Sequence, residues 1–247
     1  MGEYRELPPV PELRDDLACV WFRTVEPGEP GHEQLVLPDA CVDIVWTAGR
    51  PPVVAGPDTG PVRAVLRPGS VIAGARFRPG RAPALMGRAA SDLRNARPAL
   101  ADLWGSRAAR RLEESDAAGS APAMLAALQA ALARRRPDAA PVERWTDAVV
   151  RWAAHPAPVA LDRLAEHVGL GQRHLRRRVE ERFGYGPATL RRVLRLQRLL
   201  AAAARHPWSL AELAAAAGYA DQAHMTRECR RLAGLTPLGL VGRQRPG

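Results

Sequence analysis

The feature that most constrains this chain is a repeat. Leu161, Leu164, Ala165 and Gly169 recur 49 residues later as Leu210, Leu213, Ala214 and Gly218. One residue is then added, and the offset becomes 50. His174-Leu175-x-Arg177 is answered by His224-Met225-x-Arg227, and Gly184-x-x-Pro187 by Gly234-x-x-Pro237. A repeat of this size is usually one supersecondary unit used twice. Each copy has the grammar of two helices joined at a sharp corner. The first helix is short and amphipathic, over 161–168 in one copy and 209–216 in the other. Ser209 with Glu212 three residues on predicts a capping box. Gly169 and Gly218 end these helices, because glycine accepts the left-handed turn that a tight corner needs. Small Ala165 and Ala214 allow the paired helices to approach closely.

A second helix follows in each copy, over 172–183 and 221–232. Leu175, Val179 and Arg182 or Phe183 follow an inward stripe at i, i+4 and i+8. This leaves Arg173, Arg176 and Arg177 facing outward near the N-terminal end. In the second copy Met225, Cys229 and Leu232 face inward. Gln222, Thr226 and Arg227 face outward, and His224 lies at the margin. These side chains suit base edges and phosphates: arginine reads guanine, glutamine reads adenine, and threonine reaches a phosphate or a thymine methyl. Between the copies, 187–205 reads as one Arg-rich helix with an apolar stripe through Leu190, Leu194 and Leu200, joined by Val193 or Gln197. At 1.5 Å per residue it forms a rod of about 27 Å. Such a rod holds two recognition helices about one DNA turn, roughly 34 Å, apart.

Charge supports a polyanionic partner. All 36 basic residues are arginine, and the chain carries a net +10. Residues 1–140 contribute only +1, and residues 141–247 contribute +9. A coding bias towards arginine acts on both parts alike, so the asymmetry belongs to the segment that would meet nucleic acid. The alternative for each arginine is a solvated helix face.

The first hundred residues read as β-rich. Strands are expected over 17–24, 34–37, 41–47, 62–66 and 70–77, bounded by Pro/Gly turns. Many short strands with frequent turns predict a small barrel or sandwich. Helices are expected over 100–112 and 122–136, the latter with a stripe through Met124, Leu125, Leu128 and Leu132, packing on the barrel or on a second subunit. The expected fold class is therefore α+β and multidomain. A β-rich sensor or dimerisation domain with trailing helices spans 1–136. A Pro-containing linker spans 137–141, and an all-α tandem helix-turn-helix domain spans 142–247.

The segments LDRLAEHVGLGQRHLRRRVEERFGYGP, LRLQRLLAAAA and SLAELAAAAGYADQAHMTRECRRLAGLTP closely resemble the AraC/XylS family of transcription regulators, over about 155–240. Two positions depart from the family pattern. Cys229 stands where an aromatic residue is usual, and Met225 where Phe or Leu is usual; both are buried positions. The resemblance implies that Arg173, Arg176, Arg177, Gln222, Thr226 and Arg227 contact bases and phosphates. The N-terminal segments LPDACVDIVW, GARFRPG and LADLWG resemble the small β-barrel-like, cupin-like domain attached to some regulators of this family. Domains in that position sense a small molecule or mediate dimerisation.

Catalytic and metal chemistry find little support. Residues 1–140 contain one histidine, His32, which reads as a loop residue rather than a cupin metal ligand. Cys19, Cys41 and Cys229 are scattered, and three cysteines cannot supply the four zinc ligands of the DNA-alkylation-repair relatives of these helices. In a strand over 41–46, Cys41, Asp43 and Val45 share one face, and Val42, Ile44 and Trp46 share the other. Asp39 reads as a turn former. If the barrel binds a ligand, Trp21, Trp46 and Phe77 are the expected lining aromatics and Arg76 the counter-charge, with plain core packing as the alternative for the aromatics. No cofactor, catalytic residue or metal ligand is expected. The expected partners are a double-stranded DNA operator, a small-molecule effector, a second copy of the chain and RNA polymerase, with no membrane. The charged, Pro-rich N-terminus lacks the apolar stretch of a secretory signal, so the expected location is cytoplasmic.

Overall fold

A computed structural model describes residues 2–115, 119–136, 144–157, 159–205 and 209–244. The expected linker at 137–141 lies outside the described residues. The chain opens with seven strands: β1 (Tyr4–Leu7), β2 (Leu17–Thr24), β3 (His32–Val36), β4 (Asp43–Thr47), β5 (Val53–Ala55), β6 (Val62–Leu66) and β7 (Val71–Phe77). Five form an antiparallel sheet in the order β1-β2-β7-β4-β5, and β3 pairs with β6 as a separate ribbon. This is a sandwich of unequal sheets. The five expected strands are present, and the short strands β1 and β5 are added at the two edges of the larger sheet.

The register gives that sheet two faces of different character. Val20, Ala75 and Ile44 lie level on neighbouring strands, as do Ala73 and Trp46, and with Val54 and Phe77 they enter the main core of this domain. Short helices α1 (Ala82–Met86), α2 (Ala90–Leu93) and α3 (Leu100–Trp104) follow the sheet, then α4 (Ser106–Glu114) and α5 (Ala121–Arg135). Helix α5 packs on β2 and β7 through buried Met124, Leu125, Leu128 and Leu132. Burying each such leucine stabilises the fold by about 1.5–3 kcal/mol. The single helix expected over 100–112 is instead two. Gly105, at φ +84° and ψ 150°, leaves helical geometry and breaks it.

The helical domain comprises α6 (Arg144–Ala154), α7 (Leu161–His167), α8 (Gln172–Phe183), α9 (Pro187–Arg205), α10 (Leu210–Ala217), α11 (Gln222–Ala233) and α12 (Pro237–Gln244). Helix α9 is its axis. Helices α6, α8, α10, α11 and α12 all pack on it. Its buried residues are Pro187, Leu190, Val193, Leu196, Leu199, Leu200 and Ala203. The stripe thus passes through Val193 and Leu196, while Leu194 is only partly buried and Gln197 faces the N-terminal domain.

The two domains are in direct contact. Ala40, from the loop before β4, is buried in the helical core beside Tyr185. Arg81 pairs with Asp147 at 2.6 Å and Arg94 with Glu180 at 3.1 Å. The Gln197 amide donates to the Pro38 carbonyl at 2.6 Å.

Candidate nucleic-acid interface and cavity

The two helix-turn-helix units differ in how their helices begin. At α10 the Ser209 hydroxyl accepts from the Glu212 backbone, and the Glu212 carboxylate accepts from the Ser209 backbone at 2.8 Å, so the capping box is formed. Helix α11 is capped by Asp221, whose carboxylate accepts from the His224 backbone at 2.6 Å. Helix α8 starts at Gly171 with no side-chain cap. The corner after α10 depends on Gly218, at φ +78°, where a Cβ would lie 2.4 Å from the Pro156 carbonyl oxygen.

Leu175, Val179 and Phe183 are buried on α8, while Arg173, Arg176 and Arg177 are exposed. Of these, Arg177 makes only a loose solvent-side contact with Glu181, 3.8 Å away. On α11, Met225, Cys229 and Leu232 are buried and Gln222 and Arg227 are exposed. The Thr226 hydroxyl donates to the Gln222 carbonyl at 2.8 Å, which fixes its rotamer. His224 is half-buried. Its Nδ1 accepts from the Ala220 backbone at 3.3 Å, its Nε2 lies 3.4 Å from Arg195, and its ring meets Tyr219 edge-on. Those contacts hold the His224 ring beside the start of α11. Burial pushes the Cys229 thiol up to about 11, which keeps it a neutral packing group.

The arginines of α9 are largely engaged inside the protein. Arg191 donates to the carbonyls of Val159 and Ala157 and lies over the Trp152 ring. Arg198 donates to the carbonyls of Ala217 and Ala154. Ala154 and Ala217 are the last residues of α6 and α10, where a cation is favoured. The surplus charge of residues 141–247 is therefore divided: Arg191 and Arg198 of α9 bind carbonyls inside the domain, while Arg173, Arg176 and Arg177 of α8 and Arg227 of α11 are exposed.

A cavity of about 450 Å³ lies between the second face of the large sheet and the β3–β6 ribbon. Its polar end is a cluster around Arg76. The guanidinium contacts Asp43 at 3.2 Å, Glu6 at 3.2 Å and Asp39 at 3.7 Å. The Trp21 indole donates to Asp43 at 3.1 Å, and its ring lies against Gly74, where a Cβ would sit 2.2 Å from it. Burial outweighs the attraction of Arg76 and pushes Asp43 up to about 6; burial also raises Asp39. Asp39 forms the expected turn, accepting from the Cys41 backbone at 2.9 Å. Burial raises the Cys19 thiol to about 11 and also raises Cys41, so neither is poised as a nucleophile.

Of the four expected lining residues, Trp21 and Arg76 face the cavity. Trp46 and Phe77 do not: they are 1% and 0% exposed and lie in the core on the opposite face of the sheet. Strand alternation dictates this, since Trp46 is three residues from Asp43 and Phe77 is one from Arg76. Sequence reasoning missed Gln197 and Leu200, through which α9 forms part of the cavity wall. It also missed Arg23, although alternation from Trp21 places Arg23 on the same face. Among the described residues no group of three or more His, Cys, Asp and Glu side chains is arranged to hold a metal ion, and no helix is long and apolar enough to cross a membrane.

Residues 164–242 match a family model described as a helix-turn-helix domain, and residues 5–98 match one described as a domain of unknown function. No curated protein matches the chain. Several solved structures resemble it. The C-terminal domain of AraT, a response regulator from Geobacillus stearothermophilus, is 15% identical with a TM-score of 0.39, covering 45% of this chain and 92% of that one. A probable AraC family transcriptional regulator from Rhodopseudomonas palustris is 20% identical with a TM-score of 0.37, covering 42% and 99%. ToxT from Vibrio cholerae is 8% identical with a TM-score of 0.46, covering 98% of each chain. The chain therefore contains a helix-turn-helix domain, preceded by an N-terminal β-sheet domain.

Proposed function

We propose that the chain is an AraC-type transcription regulator that sets α8 and α11 into successive major grooves of a double-stranded operator, and that its N-terminal domain takes a small-molecule effector in the sandwich cavity. The observation that carries the DNA reading is the shared support of the two helices. Both pack on α9, and each turns its polar face outward, with Arg173, Arg176 and Arg177 on one and Gln222, Thr226 and Arg227 on the other. A straight α9 of 19 residues is about 28 Å long at 1.5 Å per residue, comparable to one DNA turn.

The effector reading is supported by the placing of the cavity. Its wall includes Gln197 and Leu200 of the same α9 that carries both recognition helices. An occupant would bear on that helix directly, and a ligand shifts an equilibrium only through such differential contacts. The division of labour follows: residues 142–247 hold the DNA contacts, residues 1–136 hold the effector, and 137–141 join them.

Selection of operators from a random duplex pool with the full chain tests this reading. The expected product is a site with two conserved blocks about one helical turn apart, bound with an affinity that falls steeply with salt. A single short block would contradict the two-groove reading.

A further inference from the structure

The polar groups of the cavity are unequally satisfied. Arg76 is surrounded by Asp39, Asp43 and Glu6, three carboxylates against one guanidinium, so it has no charge to spare for a ligand. Arg97 is likewise matched, both its terminal nitrogens binding Asp58. Arg23 is the exception among the cationic side chains that line the cavity. Its Nε is buried with no hydrogen-bond partner, and its one polar contact is His32, 3.4 Å from Nη2. Among the described residues no carboxylate reaches it.

Arg23 and the acidic cluster also stand apart. Arg23 lies level with Ile72, and Asp43 lies level with Arg76, four residues along β7. At about 3.3 Å per residue these rows are about 13 Å apart. Between them the cavity is apolar, with Val45, Val53 and Leu66 beside the Trp21 ring and Leu200 of α9. A buried cationic donor without an acceptor is costly.

We propose that the effector is an amphipathic monoanion, a carboxylate on an apolar body, whose head docks on Arg23. This rests on the reading of the cavity as an effector site. The body lies along the Trp21 ring and against Leu200. The carboxylate-rich end repels the head, so the ligand enters in one orientation.

Calorimetry on the full chain tests the class with three probes that share one body: 4-phenylbutanoate, 4-phenylbutan-1-ol and 4-phenylbutylammonium. The carboxylate is expected to bind at least about tenfold tighter than the alcohol, as a charge-assisted hydrogen bond supplies, and the ammonium weakest. Arg23→Gln should erase the carboxylate's advantage over the alcohol. Arg23→Lys, which keeps the charge should the glutamine variant not fold, should retain most of that advantage. Ala64→Phe, which fills the cavity, should weaken all three. The proposal is overturned if the ammonium binds tightest, if Arg23→Gln keeps the carboxylate preference, or if none of the three binds. Affinity for the selected operator, measured alongside, separates the two readings. A carboxylate that binds through Arg23 without changing operator affinity supports the ligand class and sinks the effector role. An ammonium that binds tightest and changes operator affinity does the reverse.

Discussion

The side-chain amide of Gln197, in the middle of the helix that supports both recognition helices, donates to the carbonyl of Pro38 at 2.6 Å. Pro38 precedes Asp39, which faces Arg76 at the polar end of the cavity, and Ala40, which holds a left-handed φ of +67° while buried in the helical core. One short loop therefore touches the cavity and the DNA-binding domain together. Replacing Gln197 with Met removes the bond and keeps the length of the side chain. The expected result is a several-fold loss of ligand-dependent change in operator affinity, within the 5–150-fold span typical of such coupling. Affinity of the unliganded protein should be nearly unchanged. Titrating operator with and without a cavity ligand measures both; equal coupling in the variant and the parent would remove this bond from the account.

The capping box at α10 sets the first helix of the second unit. Ser209→Ala removes the hydroxyl that accepts from the Glu212 backbone. It should cost about 1 kcal/mol of stability, and Ser209→Gly only a few tenths. Urea denaturation of the three proteins checks the order. Equal stability of all three would show that the cap contributes nothing in this context.

Gly74 lies beneath the Trp21 indole, so Gly74→Ala drives a methyl into that ring. The indole must move, and its bond to Asp43 is then lost. Overpacking of this kind costs about 1–3 kcal/mol. The cavity probes should also bind more weakly. A variant with parental stability and parental binding would mean that Trp21 does not rest on Gly74 in solution.

Asp43 carries a sign-specific pH dependence. Its side chain is 14% exposed and its carboxyl is raised from 3.8 to about 6. A carboxyl raised in the folded state binds more protons there than in the unfolded chain. Its contribution to stability is therefore fullest below pH 4 and falls as pH rises to about 6. Asp43→Asn should accordingly gain stability relative to the parent between pH 4 and 6. Denaturation of the pair across that range reads the difference; a gap that stays constant with pH would contradict the raised carboxyl.

The sequence was most informative where structure is local or periodic. The repeat from Leu161 to Pro237 places α7, α8, α10 and α11 within a residue or two, because glycine corners, caps and 3.6-residue stripes are short-range signals. The alternation of β4 separates Asp43 from Trp46 correctly, and the same rule separates Arg76 from Phe77. Grouping Trp46 and Phe77 with Arg76 therefore set residue type above strand geometry. Gln197 and Leu200 carried no sequence signal of a cavity wall, since the contact joins residues about 160 positions from Pro38. Gly105 breaks a helix whose apolar pattern continues on both sides, so periodicity alone ran through it. The edge strands β1 and β5 are four and three residues long, too short to show an alternation.

The central claim is that one chain reads two grooves, and hydroxyl-radical footprinting of the selected operator tests it most directly. The parent should protect two blocks about one helical turn, roughly 10 bp, apart. Arg177→Ala should weaken protection and relax sequence preference in one block, and Arg227→Ala in the other, each at a cost of about 1–3 kcal/mol in operator affinity. A single protected block, or two substitutions that weaken the same block, would contradict the two-groove account.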